Sequence, residues 1–225
     1  MAENDFKNLV EPDNYETKCL CVLVLDVSGS MNGEPINELN EGLKTFKKTV
    51  GADPNAKRRL EVSVITFESS VKTEMESTLF EKIEEFPILN VGGSTKLVDG
   101  VNEAIKKVKE RKTYYKKSGQ KYYRPWIVLM TDGEPDSDQN VTALAEEVKT
   151  GEEEKHFIFF AVGVQNANMK TLETLCNNYP PAKLKGLNFK DFFLWLSVSF
   201  STITSSRPDE KVNLPEPIWA KEYKV

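Results

Sequence analysis

Asp26, Ser28 and Ser30 stand at alternate positions in Asp26-Val27-Ser28-Gly29-Ser30, directly after the apolar run Cys19–Leu25. One carboxylate and two hydroxyls in a tight turn are hard oxygen donors. They suit Mg²⁺, or Mn²⁺ or Ca²⁺ in its place, better than zinc, which takes nitrogen and sulfur ligands. The same chemistry recurs in Gly92-Gly93-Ser94-Thr95 and in Thr131-Asp132-Gly133, the latter closing the apolar run Trp126–Met130. Singly, each has an ordinary explanation: turn formation by the serines, a helix cap by Thr95, an Asp-Gly turn at Asp132. Jointly, three oxygen-bearing loops predict one cation site.

Elements able to position those loops are legible in the hydrophobic pattern. The runs Cys19–Leu25, Trp126–Met130 and Phe157–Val162 read as buried parallel strands, and Leu60–Phe67, which alternates apolar and polar, as a strand with Val71–Met75 as its antiparallel edge partner. Gly33-Glu34-Pro35 starts a helix that carries Ile36, Leu39, Leu43, Phe46 and Val50 on one stripe, and Leu97, Val98, Val101, Ala104, Ile105 and Val108 mark a second, with Thr95 at its entrance. Short helices are expected over 78–86 and 141–148, a last edge strand over 184–187 and a strongly apolar closing helix over 189–203. Strands alternating with helices give an α/β fold: a doubly wound, mainly parallel sheet with one antiparallel edge strand and helices on both faces. Open sheets of this kind place ligands at the carboxyl ends of their strands, where all three loops fall.

Asp26-Val27-Ser28-Gly29-Ser30, followed by Thr95 in a glycine-rich loop and Asp132 after a buried strand, resembles the metal-ion-dependent adhesion site of von Willebrand factor A domains. The likeness covers roughly residues 17–205. Asp26 through Ile36 together with Thr131-Asp132-Gly133-Glu134-Pro135 is most similar to bacterial intracellular members of the tellurium-resistance Y type. The resemblance implies a Rossmann-like fold and a Mg²⁺ held directly by the hydroxyls of Ser28, Ser30 and Thr95, with Asp26 and Asp132 acting largely through water. The remaining coordination position then goes to a Glu or Asp of a partner protein. It implies an assembly module with no catalytic residues; a scaffold with a silent metal site is an alternative reading.

The totals set bounds on the rest. At 225 residues the chain accommodates one sizeable domain, read as 17–205 between a polar segment, 1–16, and an extended proline-containing tail, 206–225. A net charge of −5 disfavours a general nucleic-acid role. No run approaches a membrane span, and the polar start and unpaired cysteine count predict a cytoplasmic location. Cys19 and Cys21 are expected to be buried hydrophobes. A Mg²⁺-dependent phosphohydrolase is the rival reading, but the position two after Asp26 is a serine, not a second acid. The single histidine, His156, precedes a strand and belongs at the opposite rim. Ser137 or Asp138 is expected to cap the next helix. The basic and tyrosine-rich stretch 106–124 reads as a solvated helix end, also remote from the metal.

Overall fold

Cys19–Asp26 (β1) is buried along its whole length. Its side chains alternate between two hydrophobic layers, with Cys19, Cys21, Leu23 and Leu25 in one and Leu20, Val22 and Val24 in the other. Burial on both faces makes it a central strand. The computed structural model describes residues 14–208 and 210–221. It continues through Glu34–Ala52 (α1), Ala56–Arg59 (α2), Leu60–Phe67 (β2), Val71–Leu79 (β3), Leu97–Lys117 (α3), Trp126–Thr131 (β4), Val141–Glu153 (α4), Ile158–Gly163 (β5), Met169–Leu175 (α5), Ala182–Lys183 (β6) and Phe189–Ser205 (α6). The sheet order is β3-β2-β1-β4-β5-β6, parallel except for the β2–β3 pair. Helices α1 and α6 cover one face, α3 and α4 the other. This is the expected doubly wound sheet with one antiparallel edge.

The chain leaves β1 toward β2 on one side and returns to β4 on the other, so the carboxyl ends of β1 and β4 flank the topological switch point. Asp26 ends β1 and Asp132 follows β4. The crevice that such sheets offer to ligands therefore opens between the two aspartates.

Three departures from the sequence reading have local causes. Residues 78–86 are not a helix: β3 continues to Leu79, pairing Thr78 with Val62 and Leu79 with Glu61, and only a single 3₁₀ turn, Phe80–Lys82, follows. The β-branched Thr78 favours the strand, and Phe80 drops into a cluster with Phe46, its ring centroid 5.5 Å away. Nor is 184–187 a strand. The last strand is Ala182–Lys183, and Gly186 turns the chain into α6 at φ 55°. Leu184 instead bridges to Ala220 of the tail, and Lys221 N–H donates to the Lys183 carbonyl at 2.7 Å. Third, β2 is buried throughout instead of alternating. Its polar side chains all find partners: Glu61 with Arg111, Ser63 with the Met75 carbonyl and Thr66 with Glu74.

The tail is seated against the sheet by Trp219, which is fully buried among Phe160, Phe192 and Trp195. Residues 1–13 of the polar leading segment, and 209 and 222–225 of the tail, lie outside the described residues. Among the described residues no helix is long and apolar enough to cross a membrane.

The outer edge of β5 is closed by side chains. Phe159 N–H donates to Glu152 Oε1 at 2.9 Å, and Ala161 N–H points to the Cys176 thiol. Burial pushes that thiol up to about 12 and raises Cys19 and Cys21 as well. Since the thiolate is the reactive species, Ellman's reagent at pH 8 should find no fast-reacting thiol in the folded protein and all three cysteines in guanidinium. One rapid equivalent under native conditions would contradict this packing.

Candidate metal centre

Three segments meet at the switch point. Asp26 is fully buried and accepts two hydrogen bonds, from Ser28 N–H to Oδ1 at 2.8 Å and from Thr131 Oγ1–H to Oδ2 at 2.5 Å. The Ser28 and Ser30 hydroxyls lie 3.1 Å apart, and Ser30 Oγ donates to Asp132 Oδ1 at 2.7 Å. A Cβ added to Gly133 would sit 3.6 Å from Thr95 Oγ1 and 3.9 Å from Asp26 Oδ2. The five sequence-predicted oxygen donors thus border one small volume, and a side chain at 133 would intrude on it.

Backbone contacts fix the loops to one another. Gly92 N–H donates to the Val27 carbonyl at 2.8 Å and Gly29 N–H to the Gly93 carbonyl at 3.2 Å, zipping the serine turn to the loop that carries Thr95. Gly93 adopts φ 60°, and a Cβ there would collide with Glu68 and Ser69, so this position requires glycine.

Sequence reasoning missed the residues that hold Thr95. Asp136 Oδ1 accepts from Thr95 N–H at 3.0 Å, its Oδ2 accepts from the Ser94 hydroxyl at 2.7 Å, and its own N–H donates to the Thr95 carbonyl. Asp138 pairs with Lys96 at 2.6 Å. Neither Ser137 nor Asp138 caps α4. That role belongs to Asn140, whose Oδ1 accepts from Ala143 N–H at 3.0 Å. Gln139 Oε1 instead reaches across to Val98 N–H at the start of α3, at 2.8 Å. The 132–140 loop is therefore a clamp on the Thr95 loop. Contacts made 41 residues apart leave no spacing signal; only Thr131, next to Asp132, could have been suspected.

The donor set fits a hard, partly hydrated cation. Among the described residues no three His, Cys, Asp or Glu side chains gather as a metal cluster; here two carboxylates are joined by three neutral hydroxyls. Mg²⁺ typically takes one or two carboxylates and keeps several waters, whereas Ca²⁺ calls for a fuller oxygen cage. Burial raises the Asp26 carboxyl above its usual range, and the neighbouring Asp132 adds to the rise, while the hydrogen bonds from Ser28 and Thr131 oppose it.

That shift has a stability consequence in the absence of metal. A carboxyl with a raised folded-state pKa carries no penalty below its unfolded pKa, and acquires one as the pH climbs through the raised value. Asp26→Asn is therefore expected to melt higher than the wild type in EDTA at pH 7, with the gap narrowing toward pH 4. Circular-dichroism melts at the two pH values test this; a lower-melting variant at pH 7 would refute it.

Comparison with known proteins yields a family match and several structural neighbours. The model of the von Willebrand factor type A domain matches residues 21–191. The crystal structure of VWA2, the ArnB paralog of Sulfolobus acidocaldarius, superimposes with a TM-score of 0.57 at 17% identity, over 83% of this chain and 46% of that one. Proximal thread matrix protein 1 from the mussel byssus, solved with its adhesion-site motif occupied by zinc, gives 0.53 at 14% over 82% and 47%. The open conformation of the pilus adhesin SpaC of Lactobacillus rhamnosus GG gives 0.65 at 14% over 86% and 31%. The chain thus spans less than half the length of these structures, and at such identities they bear on the fold alone. No curated protein matches the sequence closely.

Proposed function

The chain belongs to the von Willebrand factor type A domain family, and from that premise we propose that it is a Mg²⁺-dependent protein-binding module. In this reading Ser28, Ser30 and Thr95 hold the ion through their hydroxyls, Asp26 and Asp132 orient its waters, and a Glu or Asp of a partner protein fills the open position. The observation that carries it is the direct Ser28–Ser30–Asp132 chain, with Thr95 and Asp26 across the same small volume. Neutral hydroxyls leave the cation with most of its charge, which is what a recruited carboxylate needs. Chains of the same fold include a pilus adhesin and a byssus matrix protein.

The same arrangement weighs against phosphohydrolase chemistry. Ser28 occupies the place a second acid would need, and His156 lies at the amino end of β5, away from the metal rim. We therefore assign no catalytic residue. The motif likeness to the tellurium-resistance Y type extends the proposal to an intracellular stress-response assembly in a bacterial cytoplasm.

The test is capture of partners from cell lysate on the immobilised protein, in Mg²⁺, in EDTA and with Asp132→Ala, with a parallel arm in Zn²⁺. The proposal expects partners that vanish in EDTA and with the variant. Partners indifferent to both conditions would make the metal structural.

A further inference from the structure

The cations of α3 divide into two groups. As far as Arg111 each basic side chain has a carboxylate: Lys106 with Glu103 at 3.1 Å, Lys107 with Glu76 at 2.9 Å, Lys109 with Glu147 at 2.9 Å and Arg111 with Glu61 at 2.6 Å. From Lys112 to Arg124 the chain then carries Lys112, Lys116, Lys117, Lys121 and Arg124 with no acid among them, in a protein of net charge −5. Lys116, Lys117 and Lys121 are exposed, and their side chains meet no carboxylate among the described residues. Lys112 reaches only the His156 carbonyl, at 3.3 Å.

The fold gathers these charges on one rim. Strands β2, β1 and β4 are parallel neighbours, so their entries lie side by side. Exposed Arg58 stands before β2, Lys121 is bonded to the entry of β1 through Lys18 N–H at 2.9 Å, and Arg124 stands before β4. The last turns of α3 bring Lys112 and Lys116 to the same place, since residues four apart share a helix face. The crowding registers at Lys112, whose ammonium is held below its usual range by burial and by Lys116 and Arg124. A helix macrodipole accounts for Lys116 and Lys117 in the last turn, but not for cations in the loop beyond it. Nearby acids are already engaged: Glu16 with Arg59, Glu61 with Arg111, and Glu154 facing His156.

We infer that this amino-terminal rim, opposite the metal, is a docking surface for a short acid-rich segment of a second protein. The chemistry favours carboxylate side chains over nucleic acid. Most of the rings that could stack bases are engaged, Tyr115 with Tyr122 at 5.1 Å and Tyr114 with the Arg111 guanidinium at 4.2 Å, and the exposed Tyr15 gives a single platform where a strand would use several in succession. The Arg124 fork is committed to the Phe157 and Glu152 carbonyls, which leaves mainly compact lysine charges, with Arg58 at the edge, rather than a row of bidentate readers. A long polyanion would also run on from this small patch over an acidic remainder, whereas a short segment ends within it. Such a domain would join two partners, one at each end of the sheet.

The experiment is fluorescence anisotropy of a fluorescein-labelled octapeptide of alternating Asp and Glu, titrated with the full chain in EDTA, which silences the metal rim. Binding is expected at 50 mM salt, weakening tenfold or more at 200 mM. It should fall at least tenfold in Lys116→Glu/Lys117→Glu/Lys121→Glu, and stay unchanged in Lys170→Glu/Lys190→Glu, which carries exposed charges elsewhere. Equal binding by both variants, or no binding at 50 mM salt, would overturn the inference. So would tighter binding of a single-stranded DNA octamer. Since the metal plays no part in this titration, its outcome is independent of the function proposed above.

Discussion

In Mg²⁺ at a hundredfold excess over its dissociation constant, the protein is expected to melt about 5–10 °C higher than in EDTA. Asp132→Ala should erase that difference. An ion bound by the folded chain alone contributes about 2.7 kcal/mol at this excess, and a domain of this size moves about 2–4 °C per kcal/mol. The unfolded chain cannot compete, because the donors come from residues 26–30, 95 and 132 and meet only through the sheet's topology. Asp132 is the decisive position: among the described residues it is the sole carboxylate bonded to Ser30 Oγ, at 2.7 Å, and it is buried, at 7% exposure. Thr95→Ala should reduce the shift without changing the melting point in EDTA, since among the described residues no hydrogen bond made by its hydroxyl supports the loop; Asp136 holds Thr95 by its backbone. A full shift retained by Asp132→Ala, or no shift in the wild type with Mg²⁺, Mn²⁺ or Ca²⁺, would remove the basis of the proposed function.

The donors and their supports differ in how far the sequence reveals them. Asp26, Ser28 and Ser30 are legible because a turn must follow a buried strand and their spacing is local. Thr95 and Asp132 become legible only when the strand pattern places their loops on the same rim. What holds Thr95 in place is invisible, because Asp136 and Gln139 bond to the loop before α3 and to its first turn from about 40 residues away, and an acid near a helix start reads more cheaply as a cap. The same holds for β2. Glu61 and Ser63 look like the solvent-facing half of an alternating strand, yet both are buried because α3 brings Arg111 and Tyr115 over the sheet and β3 supplies a carbonyl. Periodicity reports which residues are apolar; it does not report which polar residues a neighbouring element will satisfy. The misread helix at 78–86 has the related cause that β3 can lengthen only against a β2 long enough to pair with it.

Arg111→Ala is expected to lower the melting temperature by about 6–12 °C, the equivalent of about 3 kcal/mol, the lower end of the usual cost of leaving a buried charge unpaired. Glu61 is 1% exposed and is gripped at both oxygens: Arg111 Nε donates to Oε2 at 2.6 Å, its terminal nitrogen to Oε1 at 2.7 Å, and Tyr115 Oη–H also donates to Oε2, at 2.5 Å. Arg111 retains some access to water, with 19% of its side chain exposed, which is why the lower end applies. The loss reflects the stranded carboxylate more than the strength of the pair. Replacing all three groups at once, as Glu61→Leu/Arg111→Met/Tyr115→Phe, is accordingly expected to recover most of the stability. Thermal melts of the two variants decide the matter: an Arg111→Ala melt within about 2 °C of the wild type would show that solvent already screens the pair. The network also pins the far end of α3, a helix of 21 residues and thus about 31 Å that begins two residues after Thr95. If the clamp formed by Asp136 and Gln139 fixes Thr95 on its own, the Mg²⁺-induced rise should survive in Arg111→Ala from a lower baseline. Its disappearance would instead make the helix a lever, joining the basic rim at one end of the sheet to the metal at the other.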